Sequence, residues 1–108
     1  MKLWIDDVRP APEGYIWCKS LNEAKRAIEV YEGFVHANKE NNYPDAYDKL
    51  EYIDIDNDIG NYTKDGMKLL DWLEETGRSY PIRIHSQNPV GVENMRRIIQ
   101  RNNWKEVF

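Results

Sequence analysis

Leu50-Glu-Tyr-Ile-Asp-Ile-Asp-Asn-Asp-Ile-Gly60 reads as a short strand, carried by Leu50, Tyr52, Ile53 and Ile55, that runs out into an acidic turn. Upstream of it, Ser20-Leu-Asn-Glu23 is a capping-box pattern, a hydroxyl for the first helical N–H groups and a glutamate three residues on. Leu21, Ala24, Ala27, Ile28 and Tyr31 then share one helical face. Gly33 is the expected C′ residue of that helix. Residues 34–48 show no clean period and are expected to form a loop with at most a short helical turn. Downstream, Thr63 is a candidate cap for a second helix carrying Met67, Leu69, Leu70, Trp72 and Leu73, which should end near Gly77.

Farther out, Pro81-Ile-Arg-Ile84 is a strand, and Val92, Met95, Ile98 and Ile99 stripe a last helix closed by Asn102 and Asn103. Trp104 to Phe108 is a candidate edge strand. At the front, Lys2-Leu-Trp-Ile5 and Tyr15-Ile-Trp-Cys18 are strand runs, separated by a loop marked by Pro10, Pro12 and Gly14. Strands alternating with helices require crossover connections and a mainly parallel sheet covered on both faces. The 108 residues suit one domain, 1–108, with four or five strands. Trp4, Trp17, Trp72 and Trp104 are expected to pack in the core or at its edge.

Composition excludes several classes. One cysteine, Cys18, permits no internal disulfide and no multi-cysteine zinc site, which fits a cytoplasmic setting. The apolar run at the N-terminus is too short for a signal peptide, and no stretch of about 18 apolar residues exists, so no membrane association is expected. The net charge of −4 argues against non-specific duplex binding. Arg96, Arg97 and Arg101 read as the solvated side of the last helix.

Ligands of open parallel sheets bind beyond the carboxyl ends of the strands. Asp6, Asp7 and Arg9 follow the first strand, Asp56, Asn57 and Asp58 the central one, and His85, Ser86 and Asn88 the next. A parallel sheet would bring these three stretches to one mouth. Clustered carboxylates cannot all stay ionised without a cation, and a divalent metal such as Mg²⁺ or Mn²⁺ is the expected partner. Such a site suits phosphate chemistry. Arg9 is placed to fork a phosphate, and His85 is the natural proton carrier near neutral pH. Ser86 is expected to donate to phosphate rather than attack, since no base–orienter pair accompanies it. Asn88-Pro89 either lines the site or builds the turn. Asp54 lies on the same side of its strand as Asp56 and either joins the site or is a polar residue near the strand end. His36 is expected on a surface loop.

Leu3-Trp-Ile-Asp-Asp-Val-Arg-Pro10, Asp56-Asn-Asp-Ile-Gly60, and His85-Ser-Gln-Asn-Pro-Val-Gly91 with Glu93-Asn-Met95 resemble, in order and over nearly the whole chain, the cyclic-phosphate-processing receiver domain family. The resemblance implies a three-layer, receiver-like (flavodoxin-like) α/β fold acting on a cyclic phosphate, in a nucleotide or at an RNA 2′,3′-cyclic end. It places Asp6, Asp7 and Asp56 at a metal, and Asp58, His85, Ser86 and Asn88 on the substrate side, with a small phosphorylated ligand or nucleotide as partner. One position departs from the family pattern. The central motif usually reads Asp-His-Asp-Leu-Gly, and Asn57 stands where the histidine would be; Asn hydrogen-bonds but cannot shuttle a proton. Two alternatives therefore stay open beside a phosphodiesterase-like hydrolase: a phospho-accepting receiver using Asp56, and a non-catalytic nucleotide- or partner-binding module.

Overall fold

The computed structural model describes residues 1–41, 48–56 and 65–108. Its elements follow the expected order. They are β1 (Lys2–Ile5), β2 (Tyr15–Cys18), α1 (Leu21–Glu40), β3 (Tyr52–Ile55), α2 (Asp65–Glu75), β4 (Ile82–Ile84), α3 (Pro89–Arg101) and β5 (Glu106–Val107). The strands form one five-stranded sheet in the order β2-β1-β3-β4-β5, and every pairing is parallel. The fold is thus α/β with a flavodoxin-like strand order.

Local sequence explains most boundaries. Ser20 caps α1: its Oγ accepts from the Glu23 N–H at 3.1 Å, and Glu23 Oε2 accepts from the Lys19 N–H at 2.7 Å. Gly77, with φ of 70°, stops α2, and the Arg78 N–H closes back onto the Leu73 carbonyl at 2.9 Å. Asn88 caps α3 through Oδ1, which accepts from the Gly91 N–H at 3.1 Å, and Pro89 takes the first helical position, where no N–H is needed. Thr63, the expected cap of α2, lies outside the described residues.

Helix α1 corrects the sequence reading. It does not end at Gly33, and residues 34–40 are helix rather than loop. Gly33 has open space around it and no positive φ, so it continues the helix at a propensity cost of about 1 kcal/mol. Tyr31, Val35 and Asn38 are half-buried at helical spacing and extend the inner face beyond the glycine. His36 is exposed as expected, but on this helix, where it pairs with Glu40 at 3.1 Å. The helix closes at Asn41, whose N–H and side chain both return to the Ala37 carbonyl.

Alternation along the strands sorts the sheet into two unlike faces. Leu3, Ile5, Ile53, Ile55 and Ile82 are fully buried on one face, in a single cluster with Ile28 of α1, Leu69 and Leu73 of α2, and Met95 and Ile99 of α3. Each such side chain contributes about 1.5–3 kcal/mol by leaving water. All three helices rest on this face, because the steps β2 to β3, β3 to β4 and β4 to β5 run in one direction across the sheet and right-handed crossovers then lie on one side. The sequence reading expects both faces to be covered. Among the described residues, the opposite face carries no helix. It presents Lys2, Trp4, Tyr15, Trp17, Tyr52, Asp54 and Arg83.

Trp72 and Trp104 pack with the core, as expected. Arg96, Arg97 and Arg101 are each paired, with Glu106, Glu93 and Glu74, so they present no unneutralised basic patch. Among the described residues no helix is long and apolar enough to cross a membrane.

Candidate functional site

The register places the site. Beyond the ends of three adjacent strands the ladder continues for one more bond each. The Asp6 N–H donates to the Cys18 carbonyl at 3.1 Å, the Asp56 N–H to the Ile5 carbonyl at 3.0 Å, and the His85 N–H to the Ile55 carbonyl at 3.0 Å. Asp6, Asp56 and His85 are therefore held in line at the carboxyl edge, astride the β1–β3 junction where the chain direction across the sheet reverses. By the two-residue period, Trp4 and Asp6, Asp54 and Asp56, and Arg83 and His85 all point to the helix-free face.

Asp6 is only 1% exposed. Its Oδ1 accepts from the Val8 and Arg9 N–H groups, both at 2.9 Å, and its Oδ2 lies 3.0 Å from His85 Nε2. Burial pushes this carboxyl up, but the Arg9 and Val8 N–H groups and the imidazole outweigh it, and its pKa settles below the ordinary value. The Trp17 indole N–H donates to the Asp6 carbonyl at 2.7 Å and fixes the turn.

His85 stands between two buried carboxylates. Nδ1 is 2.6 Å from Asp54 Oδ1, and Nε2 faces Asp6. A neutral imidazole has one N–H, and an ionised carboxylate can only accept. Both contacts can be hydrogen bonds only if the Asp54–His85–Asp6 chain holds one additional proton. The Trp4 ring stacks on the imidazole, with centroids 3.7 Å apart and planes 6° from parallel, while its own N–H donates to the Arg9 carbonyl at 2.9 Å. Asp54 is fully buried, and Arg83 Nη1 lies 3.5 Å from its Oδ2.

Of the residues singled out from sequence, Asp6, Asp56 and His85 come together: one ligand atom from each lies within 4.8 Å of the others. That span matches the shell of a six-coordinate cation with ligands at about 2.0–2.6 Å. Two carboxylates suit Mg²⁺ or Mn²⁺, whereas an imidazole in the set is a ligand better matched to softer divalent ions such as Zn²⁺ or Fe²⁺. Asp7 is half-buried and contributes no atom to this group. The Arg9 side chain is exposed, and its backbone N–H serves Asp6.

Ser86 Oγ accepts from the Asn88 N–H at 3.2 Å, and Asn88 caps α3, so both build the turn that leads from β4 into α3. The Ser86 hydroxyl proton and the Asn88 amide N–H₂ remain able to donate. Asn57 and Asp58 lie outside the described residues.

The sequence alone places Trp4 in packing, leaves Asp54 between two roles and does not single out Arg83. The available signal was the i, i−2 relation of each to a site residue, since residues two apart on a strand share a face. An apolar groove of about 600 Å³ between β2 and α1, lined by Ile16, Val30 and Phe34 among others, lies apart from this cluster.

A family model described as the cyclic-phosphate processing receiver domain matches residues 1–101. No curated protein and no solved structure matches the chain.

Proposed function

The chain belongs to the cyclic-phosphate-processing receiver family, and on that premise we propose that it is a metal-assisted phosphoesterase that opens a cyclic phosphate, in a nucleotide or at an RNA 2′,3′-cyclic end. The observation that carries this reading is the convergence of Asp6, Asp56 and His85 within 4.8 Å at the carboxyl edge of the sheet. In this reading Asp6 and Asp56 hold Mg²⁺ or Mn²⁺, with Asp7 supporting the same turn. The ion, when bound, neutralises phosphoryl oxygens and acidifies a water. His85 supplies the proton. As a water oxygen bonds to phosphorus and one ring P–O bond breaks, the departing alkoxide takes a proton from Nε2, and the proton that the water loses passes to solvent, from which the imidazole is reprotonated. Arg9, the Ser86 hydroxyl and the Asn88 amide donate to the non-bridging oxygens, and the family resemblance assigns the positions of Asn57 and Asp58 to the substrate side as well.

The direct test incubates a panel of 2′,3′-cyclic and 3′,5′-cyclic phosphates with Mg²⁺ or Mn²⁺. Ring opening by the wild type, reduced about 10²–10⁴-fold in His85→Ala, is expected from removal of a general acid. No product from any member, with folding intact, overturns the catalytic reading. The presence of Asn57 where the family pattern has histidine favours a second reading, a module that binds without turnover. Calorimetric binding of a panel member without product would support it.

A further inference from the structure

Asp54 is fully buried, is spent on no backbone group among the described residues, and turns both carboxylate oxygens to side chains: Oδ1 to His85 and Oδ2 to Arg83. We propose that Asp54 is the positioning residue for His85: it holds the Nδ1 proton, so that Nε2 alone is presented to Asp6 and Asp56. What Nε2 does there rests on the proposed function; that Asp54 selects it does not.

The geometry has three independent parts. At 2.6 Å the Nδ1 contact is the shorter of the two the ring makes, against 3.0 Å for Nε2 to Asp6. With the proton on Nδ1 this contact is an N–H donated to the Asp54 carboxylate, and Nε2 is the nitrogen left facing Asp6. Trp4 stacks flat on the ring and opposes tilting out of plane. Finally, the parallel register sets Trp4, Asp54 and Arg83 side by side on one rung, so the backbone itself fixes the carboxylate beneath the imidazole. A ring anchored at Nδ1 offers Nε2 either as a proton donor or, once deprotonated, as a metal ligand. Carboxylate support of a ligating histidine works through the same contact. The arrangement thus serves either use of Nε2.

The test uses the full chain labelled with ¹⁵N-histidine, with His36→Gln to separate the two rings in long-range ¹H–¹⁵N correlations. The wild type is expected to show a protonated Nδ1 on His85, with a far-downfield proton that exchanges slowly with water. Asp54→Asn should lose that proton signal and populate both tautomers. Mn²⁺ titration is the second readout, and its affinity should fall about 10–100-fold in Asp54→Asn. A wild-type ring with bare Nδ1 overturns the proposal without any variant having to fold. So does an unchanged Nδ1 signal in Asp54→Asn, whatever Mn²⁺ does. Wild-type protein that shows the Nδ1 proton but binds no Mn²⁺ supports the positioning role and instead defeats the metal reading above.

Discussion

Trp4 shows how one side chain joins packing to chemistry. Its ring stacks on His85 and its indole N–H ties down the Arg9 carbonyl, which belongs to the turn whose amides serve Asp6. Trp4→Phe keeps a ring against the imidazole but drops the hydrogen bond, and should lower stability by about 1 kcal/mol. Trp4→Ala loses both and should cost about 3 kcal/mol. Urea midpoints compare the two, and equal losses would mean that the stack contributes nothing. Asp6, Asp56 and His85 were legible in the chain because each directly follows an apolar strand run. Trp4 was not, because an aromatic residue inside a strand is ordinarily core, and nothing local shows that its face of the sheet lacks a helix.

At the scale of elements, capping residues were readable and helix length was not. Ser20 and Gly77 each act through neighbours within five positions. Just before Gly33, α1 is tied to partners far along the chain: Glu32 accepts from Arg78 Nε at 3.0 Å and from the Tyr80 hydroxyl at 2.6 Å. Gly33→Ala meets open space and should stabilise by about 1 kcal/mol. Gly77→Ala forces a side chain into the left-handed region and should destabilise by about 1–2 kcal/mol. Thermal melts of the two variants should therefore shift in opposite directions.

Helices α2 and α3 are linked by Glu74, which receives two bonds of 2.7 Å from Arg101 and one from Asn102. The Arg101 guanidinium, with help from Asn102, holds the Glu74 carboxyl at about 2, against an ordinary 4.5. A depressed carboxyl contributes its stability in full above the unfolded value and loses it as pH falls through the folded one. Relative to Glu74→Gln, the wild type should thus be more stable at pH 7, with the gap closing between about 4.5 and about 2. Urea midpoints across this range at low salt check it; a gap independent of pH would contradict it.

For the molecule as a whole, the proposed metal site carries one consequence, linkage between ion and fold. Asp6 and Asp56 follow different strands, brought side by side only when β1 pairs with β3. A cation held by both therefore binds the folded chain and not the unfolded one. At a hundredfold excess over its dissociation constant it adds about 2.7 kcal/mol, which for a chain of this size raises Tm by roughly 10 °C. Mn²⁺ should produce that shift, EDTA should reverse it, and Asp6→Asn should abolish it. An unchanged melt at saturating Mn²⁺ would contradict the linkage.

Sequence alone determined the alternation of strands and helices, and with it the parallel sheet and the polar residues at its carboxyl edge, because periodicity and turn chemistry act over a few residues. Tertiary structure decided which of those residues meet: Asp6, Asp56 and His85 converge, Asp7 does not contribute, and Asp54 stands behind the imidazole. The physical reason is strand register and helix placement. Both are settled by packing between segments as much as 79 residues apart, as Asp6 and His85 are, and no local pattern encodes them.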